Sequence, residues 1–249
     1  MTSTLRLQGY IDSIHNHYFA EQPLFIDREG RVKGSFFKCE IGSVFESITT
    51  HTHANSVAVS ARLQVNLFDG TPIDAATLFT LAKSDEALVR LDRLSRIIHT
   101  LNHHASPFAH LPLHLSVHPR LPSIVVKDHG QVFERLLQFL QLSPRQFVIE
   151  LPLSLAANAA LANKVVNNYR ARGFVVSSHV DDRSLAWLDS GESLPDLLKL
   201  NANFILARTD VLARIQQLAE RFHLSILIKS AERQAIHQDV SSMLIESVG

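Results

Sequence analysis

The sequence predicts an α/β fold of the TIM-barrel-like (β/α)8 type, and two observations carry that prediction. From about residue 111 onward, short apolar runs alternate with amphipathic segments of helical period. This alternation makes parallel strands joined by right-handed crossovers. The chain also has 249 residues, 46% of them hydrophobic, enough to fill the single core of a barrel. A doubly wound open sheet is the second choice, but no glycine-rich phosphate loop follows the first strand.

The first 70 residues read as β hairpins. Asp27-Arg28-Glu29-Gly30 supplies one turn, and Asp69-Gly70 before Thr71-Pro72 another. Ser84 to Leu101 reads as a helix: Leu88, Leu91, Leu94, Ile98 and Leu101 line one side, and Asp85 and Glu86 favour its N-terminus. Leu113 to Val117 reads as a strand and Val132 to Leu142 as a helix. Phe147 to Leu151 is the next strand, followed by a helix through Val165, Val166 and Tyr169 that Gly173 stops. Phe174 to Ser177 and Leu197 to Leu200 are strands. Val211, Ile215, Leu218 and Phe222 share one helix face, and Ser225 to Ile228 and Ser242 to Ile245 read as the last strands.

Composition narrows the function. Lys+Arg and Asp+Glu are both 24, so nothing draws the chain to nucleic acid polymer or an anionic membrane in general. The lone cysteine, Cys39, cannot form an intramolecular disulfide, which fits a reducing compartment. The start of the chain lacks the apolar stretch of a signal peptide, and no run is long enough to span a bilayer. A cytoplasmic location is therefore expected.

Fourteen histidines are unusual. His51 and His53, His103 and His104, and His110, His114 and His118 cluster, but no Cys, Asp or Glu stands at ligand spacing beside them. They read as surface or loop residues rather than metal ligands, with a transition-metal site as the lesser reading.

In parallel barrels chemistry sits at the C-terminal ends of the strands. Those ends carry Ser116, Glu150, Ser178 or His179, Lys199 with Asn201, and Lys229. Glu150 is the only carboxylate among them. A hard divalent cation needs several oxygen ligands, and two-metal hydrolysis needs more, so the set is a poor metal site.

From Gly42 to Ile245 the order of segments resembles the EAL domain family, bacterial phosphodiesterases that hydrolyse cyclic di-GMP. The resemblance rests on Thr77-Leu78-Phe79-Thr80-Leu81-Ala82, Leu91-Asp92-Arg93-Leu94, Leu115-Ser116-Val117-His118-Pro119, Ile149-Glu150-Leu151 and Pro195 to Asn201. It implies a barrel domain over 42–249; residues 1–41 lie outside it and are expected, from their hairpin signals, to form an N-terminal, β-rich extension that packs on the barrel. It also implies a set of substitutions. The Glu-Ala-Leu motif aligns with Ala58-Val59-Ser60, so its metal-binding glutamate becomes Ala58, while the following arginine is kept as Arg62. Glu46-Ser47 replaces Gln-Pro, Ser116 replaces a metal-binding asparagine, and Leu153 replaces the second glutamate of the motif that keeps Glu150. The paired aspartates fall at Ser178-His179 or His179-Val180, with Asp181 and Asp182 just beyond. The family's lysine is kept as Lys199, its acidic neighbour becomes Asn201, and the late Glu-Gly-Val-Glu becomes Lys229-Ser230-Ala231-Glu232.

With so many acids replaced, the resemblance implies a protein without phosphodiesterase activity, metal or other cofactor, acting as a regulatory protein-interaction module toward a protein partner that the sequence does not name. The alternative is a metal-free cyclic di-GMP receptor, with Arg62, Lys199 and Lys229 facing a dianion against only Glu150 and Glu232. Glu150 and Lys199 also read as a buried structural ion pair, and Arg62 as structural. A homodimer is the expectation by resemblance.

Overall fold

A computed structural model of the chain describes residues 3–18, 23–49, 56–125, 129–230 and 244–247. They fall into two compact units: residues 1–45, 61–110 and 139–141 in the first, and 46–60, 111–138 and 142–249 in the second.

The first unit begins with α1 (Ser3–Tyr18). This differs from the hairpins expected across the first 70 residues. Leu7, Ile11 and Ile14 recur at helical spacing and are all buried, so one apolar stripe decides the conformation. The expected turn at Asp27 follows: β1 (Leu24–Ile26) pairs antiparallel with β2 (Val32–Phe36), and the amides of Glu29 and Arg31 donate to the Asp27 carboxylate. β2 continues antiparallel to β3 (Cys39–Thr49). The second expected turn joins β4 (Ser56–Leu67) to the short β5 (Pro72–Ile73). After α2 (Ala75–Leu81) comes α3 (Asp85–His104), whose N-cap Ser84 accepts from the Ala87 amide. A Cβ on Gly34 of β2 would lie 2.8 Å from the side-chain end of Ile98 of α3, so a larger residue there would force Ile98 to shift.

The second unit carries the strand–helix alternation. Its elements are β6 (Leu113–Ser116), α4 (Leu121–Ile124), α5 (Gln131–Phe139), β7 (Phe147–Leu151), α6 (Ala159–Ala171), β8 (Val175–His179), α7 (Asp182–Ser190), β9 (Leu197–Asn201), α8 (Ala202–Ala207), α9 (Thr209–Phe222), β10 (Ser225–Ser230) and β11 (Leu244–Ser247). β4, β6, β7, β8, β9, β10 and β11 pair in that order, every pair parallel. The helix α7 is not among the elements read from the sequence. The Asp181 carboxylate caps it by accepting from the Ser184 amide.

The helix-facing side of the sheet is apolar. Phe133 of α5 stacks on Phe174 at 5.5 Å and meets Phe147 of β7 edge-on at 5.3 Å. On the other side the sheet curls. β4 and β10 lie five strand spacings apart, about 24 Å if the sheet were flat. Nevertheless Ala58 of β4, Ile48 of β3 and Leu227 of β10 share one apolar cluster, with Leu197 of β9 packed against it. That meeting requires a barrel-like sheet, as the alternation predicts, rather than an open one. Among the described residues no helix is long and apolar enough to cross a membrane.

Candidate functional site

Strand alternation builds the site. On β6, Leu113 and Leu115 take one side, so His114 and Ser116 take the other. Ser116 pairs in register with Glu150 of β7, and Glu150 with Ser177 of β8. Three donors converge on the Glu150 carboxylate. Lys199 Nζ and His114 Nδ1 meet Oε1, the latter at 2.9 Å, and Ser116 Oγ donates to Oε2 at 2.9 Å. Glu150, His114 and Lys199 are all buried.

Burial alone would push the Glu150 carboxyl up. The His114 hydrogen bond and the Lys199 charge outweigh it and hold the group well below the usual carboxylate range. Glu150 is therefore ionised at neutral pH and can only accept, so the His114 proton on this side sits on Nδ1.

Lys199 reaches Glu150 from two strands away. β9 pairs with β8 and β8 with β7, so the lysine stem crosses the face of β8. The residue of β8 in register with Glu150 is Ser177, small enough to let a stem pass. Ser177 is fully buried, and among the described residues its hydroxyl has no hydrogen-bond partner. Of the readings open for Glu150 and Lys199, the geometry realises the buried ion pair. Taking both charges out of water costs several kcal/mol per ion, which the contact and the two further hydrogen bonds to Glu150 offset.

The other predicted positions distribute differently. His179 pairs in register with Lys199, which puts it on the Glu150 side of β8. Ser178 therefore faces the helices, and its hydroxyl donates to the His179 carbonyl. Asp181 caps α7 and Asp182 pairs with Arg208 on the surface, so neither extends β8. Asn201 is exposed, and its Oδ1 accepts from the Asn203 amide where α8 begins. Ala58 sits in the apolar cluster with Ile48 and Leu227. Arg62 is an exposed residue of β4 in the first unit. The backbone of Lys229 pairs with Asn201 and Glu246; Glu232, His51 and His53 lie outside the described residues.

Two of the clustered histidines correct the sequence reading: His103 on α3 and His114 on β6 are buried, while His110 is exposed as expected. His99 and His129, outside those clusters, are buried as well. His114 could have been found, because it stands two residues before Ser116 on the same strand and must share its face. The signal for Ser177 is the same alternation, counted back from His179.

Chemically the cluster is saturated. Both Glu150 oxygens are engaged, one of them by a cation, and His114 has committed a ring nitrogen to the same carboxylate. A divalent metal of the kind the EAL resemblance implies needs several free oxygen donors. These residues do not fit one. Among the described residues, no group of three or more His, Cys, Asp or Glu side chains could hold a metal ion.

No protein-family model matches the sequence, and no curated protein does. Solved structures do match in fold. The PaMucR phosphodiesterase in complex with c-di-GMP is similar over 83% of this chain and 89% of its own, with 15% identity and a TM-score of 0.66. The Bacillus subtilis YkuI protein, described with an EAL domain in complex with c-di-GMP and calcium, matches over 76% of this chain at 17% identity and a TM-score of 0.62. Klebsiella pneumoniae BlrP1, in a calcium and c-di-GMP complex, matches over 83% of this chain at 14% identity and a TM-score of 0.64. This chain spans 48% of the YkuI chain and 54% of the BlrP1 chain. The strand order, the curl of the sheet and these neighbours together give the chain an EAL-like, TIM-barrel-like fold.

Proposed function

We propose that this chain is a non-hydrolysing EAL-fold protein that acts in bacterial cyclic di-GMP signalling by binding other proteins. The carrying observation is the engagement of Glu150. Among the strand-end positions Ser116, Glu150, Ser178, His179, Lys199, Asn201 and Lys229 it is the one acid, and Lys199, His114 and Ser116 already occupy it. With both of its oxygens engaged, Glu150 offers no free carboxylate to a pair of metals that would generate hydroxide and clamp a phosphodiester. The fold neighbours solved with c-di-GMP support the signalling context.

The test is an assay of the purified chain with cyclic di-GMP and either Mg²⁺ or Mn²⁺. No linear dinucleotide is expected above the background of an E150K variant. Turnover that E150K abolishes would overturn the reading. The protein-binding half is checked by affinity capture from the native cell followed by reconstitution with the purified partner.

A second reading, a metal-free cyclic di-GMP receptor, is favoured by one observation. The residues around Glu150 are mostly donors: the Ser177 hydroxyl, the partly buried His179 ring and the Lys199 ammonium. Charge-assisted contacts to phosphate suit such a set. Calorimetry with cyclic di-GMP in chelator separates the two readings, since heat at micromolar ligand belongs to a receptor and its absence to a protein-binding module.

A further inference from the structure

We propose that a groove of the first unit, beside the β2–β3 hairpin, docks a segment of a partner protein that carries a basic side chain next to an apolar one. This rests on the protein-binding reading above and gives it a surface. The hairpin pairs Phe36 with Cys39, so its connection is only Phe37-Lys38. Phe37 has φ +52, the left-handed region that glycine, asparagine and aspartate enter readily and a bulky side chain does not. The residue is also 58% exposed, with its ring edge-on to Phe36 at 4.6 Å. Beyond that one ring contact an aromatic held in strained backbone and left mostly in water gains little within the fold, and such outliers concentrate where a protein binds.

The ring borders a groove of about 650 Å³ whose walls include Pro23 and Phe36 on one side and Glu86, Ala87 and Arg90 of α3 on the other. This is the size of a groove that takes a few side chains. Arg90 already has an interaction partner. Glu86 is exposed, and among the described residues its carboxylate has none. Of the two charged groups that line the groove, the one left available is therefore Glu86, and it shares the lining with the Phe37 ring. A guanidinium or ammonium is attracted by both, through the ring quadrupole and through a charge-assisted hydrogen bond. Pro23 and Ala87 offer apolar contact to the neighbouring side chain.

The probe is a blocked hexapeptide alternating leucine and arginine, compared with one alternating leucine and glutamate, followed by NMR on the full chain. The arginine peptide is expected to shift the resonances of Phe37, Glu86 and Ala87, and the glutamate peptide to leave them in place. Phe37→Gly should weaken binding at least tenfold while the melting temperature holds or rises, because glycine relieves the left-handed strain. Glu86→Gln should weaken it at least threefold. Shifts elsewhere or none, equal binding of the glutamate peptide, or a lower melting temperature for Phe37→Gly would each overturn the groove. None of these results would alter the hydrolysis and calorimetry outcomes, so this inference and the function it rests on fail separately.

Discussion

Around Glu150 a buried group keeps its charge, whereas around His99 a buried group gives its charge up. In the second unit, Lys199, His114 and Ser116 surround a carboxylate and hold it ionised. In the first, His99 of α3 is buried and hydrogen-bonds through Nδ1 to the Ser43 hydroxyl at 2.7 Å. Burial first, and then the nearby Arg96 charge, lower its pKa to about 3, so the imidazole is neutral at physiological pH. Asn102 completes this neutral network, joining Ser43 to the backbone of Val32 at both its amide and its carbonyl. The difference shows where each unit is vulnerable. A charged cluster depends on its counter-ion, and a neutral one depends on the pH staying above the range in which the unfolded chain takes up a proton.

The largest expected effect comes from removing the counter-ion. Lys199→Met leaves the Glu150 carboxylate buried with only His114 and Ser116 as donors and should cost about 3–5 kcal/mol. Urea unfolding at pH 7 reads this directly. Adding Glu150→Gln should recover most of the loss, because the double variant no longer buries an unpaired charge. If the double variant is as unstable as the sum of the singles, the two residues do not act as a pair.

Acid separates the clusters by window. His99 has its ordinary pKa of 6.5 in the unfolded chain and about 3 in the fold, so between those values the unfolded state holds a proton that the native state lacks. Stability should fall with falling pH across that range by about 1.4 kcal/mol per unit. Glu150 begins to contribute only near its ordinary 4.5. Its folded pKa is depressed, so the stability it supplies is fully present above that point and is lost as pH drops toward the folded value. His99→Gln should therefore flatten the stability profile between pH 6.5 and 4.5, and Glu150→Gln should flatten it only below 4.5. Denaturant midpoints collected from pH 7 to pH 3 would show both. Identical profiles for wild type and His99→Gln would mean that this histidine is not held neutral.

A smaller effect belongs to the neutral cluster. Ser43→Ala removes the hydrogen bond to His99 and the longer one from Asn102, both between uncharged groups, and should cost about 0.5–1.5 kcal/mol, well short of Lys199→Met. Parity between the two variants in the same urea experiment would erase the contrast between the clusters.

Much of this arrangement was legible in the sequence. The strand over Phe147–Leu151 and the helix ending before Gly173 stand as read, because strong apolar periods and a left-handed glycine mark them. The pairing of Glu150 with Lys199 was readable as one option, since two lone charges in apolar strands have few partners. What escaped was the N-terminal helix: Leu7, Ile11 and Ile14 form a sparse stripe that turn signals further along the chain outweighed. Burial of the histidines escaped as well. Whether His114 faces solvent or the barrel interior depends on neighbouring strands that no local window contains. Ser178 and His179 are adjacent in sequence yet point to opposite faces, and only the register with Lys199 decides which one stands beside Glu150.

The finest distinction concerns Ser177, which lies under the lysine crossing with a hydroxyl that has no partner among the described residues. If its role is to be small, then Ser177→Ala should leave stability within about 0.5 kcal/mol of wild type or raise it, since a buried unpaired hydroxyl is itself unfavourable. Ser177→Val places two methyl groups where the Lys199 stem must pass, and overpacking of that kind costs about 1–3 kcal/mol. The pair of variants measures space and hydrogen bonding separately. A loss in Ser177→Ala equal to that in Ser177→Val would show that the hydroxyl itself belongs to the charged cluster. The cluster would then hold Glu150 through a fourth polar group, and its contrast with the three-membered neutral network around His99 would widen.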